Sequence, residues 1–451
     1  MQAYDDFITS HREQFLDELK EFVAQPSISA TGEGIEEMAR MVREKMEGLG
    51  AEVQVLEVGP GEPPVVYASL GSGDKTLLIY NHYDVQPVDP IELWESPPFE
   101  PTIRDGKLFA RGVSDNKGNL LYRIQAVRAW LETVGPLPFR LNWFIEGEEE
   151  TGSPNLEPFC LAHADLLKAD GCLWEMGGVD EADRPIFTLG AKGLLYVELS
   201  VQTMNGDQHS ALGTLAPNAA WRLNWALSSL KAPDETILID GFMDDVASPS
   251  ETDMALLRAI PFEEEKMKAG MGVKQWVGGV SGLEAITRHL FQPTCTICGI
   301  SSGYTGEGQK TVLPAKASAK VGFRLVPNME PARVAELLRR HLDRHGFADI
   351  ELKVLGGEHP GKSDPNAGIV HAAVSAAREV FELEPAIYPL TPGTGPVWPI
   401  AVAHGTPMIS FGASYPGQKL HAPNENIRLD DYFRAMRMMG RFIRDFGGRD
   451  G

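Results

Sequence analysis

The sequence predicts an α/β protein whose mixed, mostly parallel sheet is flanked by helices and interrupted by an inserted α+β domain. Three observations lead there. Apolar strand-like runs alternate with helical stripes before about residue 190 and again after about residue 357. Between them the texture turns to strands of alternating polarity. The chain is 451 residues long, more than one hydrophobic core comfortably serves.

The elements follow in order. Phe7, Ile8, Phe15, Leu19, Phe22 and Val23 form one apolar stripe and predict a helix over 4–24; a second is expected over 34–49. Strands are expected over 52–58, 65–70 and 76–80, then a helix over 118–134, a strand over 139–145 and a short one over 171–174. In the insert, 194–202 alternates like a half-exposed strand, a helix is expected over 217–230, and strands over 293–300 and 317–327. An amphipathic helix over 332–345 and a strand over 350–355 complete it. The first texture then returns: helix 367–381, strand 407–411, helix 429–446. The chain so divides into an outer domain, residues 1–191 and 358–451, and an inserted domain, residues 192–357.

Five acidic or histidine groups stand where two metal ions sharing one carboxylate would need them. His82 follows an apolar run, Asp115 begins a helix, Glu150 follows another apolar run, Glu175 closes Gly171-Cys-Leu-Trp-Glu, and His421 sits near the C-terminus. Imidazole and carboxylate ligands suit zinc, manganese or cobalt. Most of them come at the C-terminal ends of expected strands, the edge where open α/β sheets bind ligands. Asp84 lies two residues from His82, on the same face if the strand continues, and could steady the imidazole ring. Glu148, Glu149 and Glu150 form an acidic run against a core edge, which is costly unless cations neutralise it. Within that run one carboxylate could bind metal while its neighbour takes a proton from water. Each signal alone has a plain reading: a histidine by a turn, a helix N-cap at Asp115, a solvated acidic loop.

Charge excludes some partners. Lys and Arg number 41 against 63 Asp and Glu, a net charge of −22, which disfavours nucleic acid and anionic membranes. The N-terminal stretch lacks a signal peptide's apolar core, and no apolar run nears the roughly 20 residues of a membrane span, so a cytoplasmic location is expected. The four cysteines fit; Cys295-Thr-Ile-Cys298 lacks the second pair of a zinc knuckle, and both thiols are expected to be buried. Gly303-Tyr-Thr-Gly-Glu-Gly-Gln-Lys-Thr311 imitates a phosphate-binding loop, but Gln309 intrudes before the lysine and the following residues are extended, which argues against nucleotide binding.

Together the motifs resemble a known family, the metal-dependent amidohydrolysing peptidases that include carnosinase-type dipeptidases, aminoacylases and succinyl-diaminopimelate desuccinylase. They are Asn81-His-Tyr-Asp-Val-Gln-Pro87, Gly112-Val-Ser-Asp-Asn-Lys-Gly118, Glu146-Gly-Glu-Glu-Glu-Thr-Gly-Ser153 and His421-Ala-Pro-Asn-Glu425, in that order along nearly the whole chain. The resemblance implies that His82, Asp115 and Glu175 hold one metal, that Asp115, Glu150 and His421 hold the other, that Asp84 orients His82, and that Glu149 is the base. It makes the insert a lid and dimerisation domain. There, Asp207-Gln-His-Ser210 is similar to the motif whose histidine, here His209, reaches across a homodimer to polarise the scissile carbonyl, although Ala211 stands where glycine is common. Phe323-Arg-Leu-Val-Pro-Asn328 is similar to the carnosinase-type branch, in which the arginine matching Arg324 clamps the substrate's C-terminal carboxylate. Gly393-Thr-Gly-Pro396 resembles the glycine-rich loop that approaches the same carboxylate, through Thr394 and Gly395. The expected function is hydrolysis of dipeptides or very short peptides by a metal-bridging water with a glutamate base, using two divalent ions per subunit, zinc first among them. The alternative is the same chemistry on N-acyl amino acids or a related small amide.

Overall fold

The computed structural model describes residues 1–448 and resolves into two compact units. The first comprises Met1–Gly190, Lys362–Pro389 and the chain from Pro396 onward; the second comprises Ala191–Gly361 and Leu390–Gly395. The last segment, which the sequence division leaves in the outer domain, groups with the second unit.

The N-terminal stripe forms two helices, α1 (Gln2–Ser10) and α2 (Arg12–Ala24), in place of one. They part at His11, whose Nδ1 bonds the Phe7 carbonyl at 2.9 Å and whose ring stacks on Phe7. The Phe7 carbonyl still accepts the His11 N–H at 3.0 Å, so the break is a local departure of His11 from helical φ/ψ, to −102° and 13°. After α3 (Ile35–Gly48) come β1 (Glu52–Leu56), β2 (Val65–Leu70) and β3 (Thr76–His82). Then follow α4 (Lys117–Thr133), β4 (Arg140–Glu146), β5 (Gly171–Trp174) and β6 (Pro185–Thr188). Helix α4 is buried almost all round, because α1 and α2 cover it together with the last helix of the unit.

The second unit is a four-stranded antiparallel sheet built from β7 (Gly193–Gln202), β8 (Thr296–Ser302), β9 (Lys316–Leu325) and β10 (Glu351–Glu358), in the order β8-β9-β7-β10. Strand β7 alternates buried and half-buried residues, so Leu195, Val197, Leu199 and Val201 point to one face. Against them pack α5 (Ala219–Leu230), through Leu223 and Leu227, and the amphipathic helix Pro331–Arg344, through Val334 and Leu338. Between α5 and β8 the chain adds α6 (Glu251–Ala259), α7 (Glu264–Met271) and α8 (Gly282–Phe291); α9 (Pro331–Arg344) follows β9. The thiol expectation needs one correction. Cys295 is buried, but Cys298 lies on the edge strand β8, which is exposed along nearly its whole length; the β8–β9 register also slips there, between Ile297 and Gly299.

Back in the first unit, α10 (Gly368–Phe381), β11 (Ala386–Tyr388), β12 (Met408–Ser410) and α11 (Leu429–Phe446) complete the architecture, and α11 is the last cover on α4. The nine-stranded sheet runs β1-β2-β4-β3-β5-β12-β6-β11, with Gly178–Val179 paired to β6. Its central pairings, β4 with β3, β3 with β5 and β5 with β12, are parallel, and the antiparallel pairings lie toward the edges. Thr102–Arg104, Lys107–Phe109 and Asn426–Arg428 form a separate small antiparallel sheet that the helix and strand patterns do not predict.

Candidate metal centre

The centre lies at the C-terminal ends of the parallel strands. His82 is the last residue of β3, and Glu175 directly follows β5. Glu149 and Glu150 open a short 3-10 turn after β4, and Asp115 immediately precedes Asn116, the N-cap of α4. Nε2 of His82 lies 3.0 Å from Asp115 Oδ1 and 3.4 Å from Glu175 Oε2. Nε2 of His421 lies 3.1 Å from Asp115 Oδ2 and 3.2 Å from Glu150 Oε2. The five side chains therefore form two sets that meet on the two oxygens of one carboxylate.

These spacings decide whether the set suits a cation. Ligand bonds of about 2.0–2.1 Å in a tetrahedral site put neighbouring ligand atoms roughly 3.3 Å apart. His82, Asp115 and Glu150 each offer one atom within 4.8 Å of the others. Glu175 Oε2 is buried and has no hydrogen-bond partner among the described residues, a costly state for a carboxylate oxygen that a cation would relieve. Oxygen and imidazole donors are those of zinc, manganese and cobalt sites. The residues fit.

Electrostatics point the same way. Burial pushes the Glu175 carboxyl well above its usual range, and the neighbouring Glu149 charge adds to this. Burial also lifts Glu149, to about 8, with Asp115 and Glu150 raising it further against the pull of His82. Hydrogen bonds to Asp115 and Glu150 lift His421 to about 10. Asp115 moves the other way: burial alone would raise it, but hydrogen bonds from His421 and His82 hold it below the ordinary aspartate range. A cluster that retains protons on both carboxylates and imidazoles is one that lacks positive charge.

The parts around the ligands explain their placement. Asp84 does not share a strand face with His82, since β3 has already ended; the contact is made across a turn, Oδ1 to Nδ1 at 3.2 Å. The same carboxylate accepts the backbone N–H of Glu149 at 3.3 Å and of Glu150 at 3.0 Å, so it sets the imidazole and the glutamate turn together. Gln86 Nε2 donates to Glu150 Oε2 at 2.9 Å. Arg123 of α4 is fully buried, with donors to the carbonyls of Tyr80, Trp174 and Phe411, and so ties one helix to three neighbouring strand segments. Glu425, quoted in the last motif without a role, is buried and accepts the N–H groups of Gly112, Ser114 and Asp115 at 2.9–3.0 Å and the Arg111 guanidinium at 2.8 Å. It fastens the loop that carries Asp115. Arg123 within the core run 120–127 was an available signal, whereas Glu425 sits among polar residues and offered none.

The remaining sequence-selected residues belong to the second unit. His209 is exposed on the short strand Gln208–His209, and its Nδ1 accepts the Ala211 N–H at 3.1 Å. The neutral ring consequently carries its proton on Nε2, as a donor. Arg324, on β9, donates to Thr394 Oγ1, whose hydroxyl also donates to the Gly193 carbonyl at 3.3 Å. Gly395 ends the segment carrying Thr394.

Residues 78–445 match the peptidase family M20/M25/M40. The chain is 28% identical to a Cys-Gly metallodipeptidase of Schizosaccharomyces pombe, covering 98% of this chain and 97% of that protein. It is 29% identical to the human Beta-Ala-His dipeptidase, covering 97% and 91%. Among solved structures, an M20 family metallo-carboxypeptidase from Sulfolobus solfataricus superposes with a TM-score of 0.89 at 40% identity, over 96% of this chain and 99% of that one. Human carnosine dipeptidase 1 superposes with a TM-score of 0.76 at 27% identity, over 99% of each chain.

Proposed function

The chain belongs to the peptidase family M20/M25/M40, and from that premise we propose that it is a metal-dependent dipeptidase acting on dipeptides or very short peptides. The observation that carries this reading is the pair of ligand sets meeting on Asp115, with Glu149 beside them as a carboxylate that neither set uses. His82, Asp115 and Glu175 would hold one divalent ion, and Asp115, Glu150 and His421 a second, with zinc, manganese or cobalt all suited. When bound, such ions supply electrophilic polarisation and a more acidic water. Glu149 takes a proton from the attacking water as its oxygen bonds to the carbonyl carbon, then delivers that proton to the nitrogen as the C–N bond breaks. Arg324, which donates to Thr394 Oγ1, receives the free carboxylate at the substrate's C-terminus, and Thr394 and Gly395 approach the same carboxylate. Relatives named dipeptidase and carboxypeptidase both release a residue bearing that carboxylate. N-acyl amino acids carry it too and are the second substrate class to assay. No helix among the described residues is long and apolar enough to cross a membrane, and four free cysteines suit a reducing cytoplasm.

The test is chelation followed by a panel of dipeptides and N-acyl amino acids across added metals. Hydrolysis of dipeptides should vanish with the metal and return with zinc, manganese or cobalt. Because ligation requires His421 neutral and Glu175 ionised, binding must release protons held by both, so metal affinity should fall as pH falls. Full turnover by verified metal-free protein would sink the reading.

We further propose a homodimer in which His209 of one subunit serves the metal centre of the other. Its exposed Nε2–H suits a developing oxyanion. The same unit exposes Leu215 (85%), Trp221 (57%) and Trp225 (54%), and the edge strand β8 exposes Ile300 (61%), apolar surface that a second copy would cover. Mixing Glu149→Gln and His209→Ala subunits should restore activity near half the wild-type level per heterodimer, whereas no recovery after proven subunit exchange would place His209 outside any shared site.

A further inference from the structure

Beside Arg324 the second unit contains a cavity of about 680 Å³, the size range of small-molecule sites. Its charge is unusual for this chain. Lys192, Lys231, Arg288 and Arg324 line it, against the single carboxylate of Glu235, although the protein as a whole carries a net charge of −22. Glu235 pairs with Lys231, so it does not neutralise the others. Lys192 is buried and donates to the carbonyls of His289 and Gln292, both at 2.7 Å, at the end of α8; Arg288 donates to Gln292 Oε1 and the Val277 carbonyl. Arg324 contacts Thr394 and pairs with no carboxylate among the described residues. Burial, with the nearby Arg324 charge, holds Lys192 down at about 8. Two cations facing one space without a carboxylate between them leave it ready for an anion.

The rest of the wall is apolar and adaptable. Phe262 and Trp276 give flat surfaces, and Met243, Met267 and Met271 are 46%, 36% and 64% exposed, thioethers left in contact with solvent. Methionine follows the shape of whatever apolar group it meets. An anion site joined to such walls fits an α-carboxylate whose own side chain is large and apolar.

We infer that this cavity is the specificity pocket for the side chain of the substrate's C-terminal residue and that it selects large apolar residues such as phenylalanine, leucine and methionine. The inference rests on the reading of Arg324 as the substrate's carboxylate clamp. Seating the carboxylate at Arg324 brings the Cα substituent to the methionine and tryptophan wall of the same cavity. Burying a phenyl or isobutyl group there favours these residues over glycine by about 10- to 100-fold in kcat/KM.

Two measurements on the metal-loaded full-length protein separate the inference from the function beneath it. The first compares hydrolysis of Ala-Gly, Ala-Ala, Ala-Leu, Ala-Met and Ala-Phe. The second follows calorimetric binding of 3-phenylpropionate, which has the carboxylate and the aromatic group but no scissile bond, against propionate. Ala-Phe should exceed Ala-Gly by at least 10-fold, and 3-phenylpropionate should bind at least 10-fold tighter than propionate. Met243→Trp, which fills the cavity, should collapse both ratios; should that variant not fold, Met271→Ala on the exposed face of α7 should reduce them. No dipeptide cleavage with selective 3-phenylpropionate binding sinks the dipeptidase reading and leaves the pocket standing. Dipeptide cleavage with flat preference, or a preference unmoved by both variants, overturns the pocket, including the case in which a second copy or another apolar ligand occupies it.

Discussion

Glu149→Gln is expected to retain bound metal and lose turnover by ~10²–10⁴-fold, the usual contribution of a positioned general base. Gln keeps the size and shape of the side chain but cannot accept the proton. The turn itself should survive, because Glu149 is held through its backbone N–H to Asp84 and not through its carboxylate. The neighbouring change separates the roles. Glu150 Oε2 lies 3.2 Å from His421 Nε2, so Glu150→Gln should lose metal along with activity. Metal content by mass spectrometry beside kcat distinguishes the two variants. Near-normal turnover in Glu149→Gln would place the base elsewhere.

Arg324→Ala should raise KM for dipeptides by about 30- to 1,000-fold, corresponding to roughly 2–4 kcal/mol for a desolvated charge-assisted pair. The change removes the donor fork and leaves Thr394 with its bond to the Gly193 carbonyl, so the loop has independent support. Dipeptides amidated at the C-terminus should already be poor substrates of the parent enzyme and should lose little more in the variant. Equal kcat/KM on free and amidated forms of the parent would remove Arg324 from this role.

The readable parts of this chain were those written in local chemistry. Strong apolar periodicity announced β3, β4, β7 and α11, and α11 begins and ends where its stripe does. The ligands could be selected because short polar motifs follow apolar runs, and polar groups at strand ends rarely gather by chance. What escaped was set by distant contacts or by weak patterns. The three helices between residues 251 and 291 are each ten residues or shorter and partly exposed, so their stripes are faint. Only the Ser250–Asp253 capping box marks the first of them locally. The break at His11 is one residue's departure from helical φ/ψ, which no apolar stripe records. Asp84 could be assigned to His82 from spacing, but its grip on Glu149 and Glu150 spans 65 and 66 residues and leaves no trace in periodicity.

The clamp on Asp115 has a consequence for how the protein is made. Glu425 reaches back 310 residues to the Asp115 N–H, and His421 reaches back 306 to its carboxylate. Until the ribosome has delivered residue 425 and released it from the exit tunnel, the emerging chain holds His82, Asp115, Glu149, Glu150 and Glu175 with neither the fastening of the Asp115 loop nor the second imidazole. A stalled or prematurely ended polypeptide is therefore born without hydrolytic competence. Synthesis from N- to C-terminus acts as a safety catch, released only once His421 and Glu425 are free to fold back on the Asp115 loop.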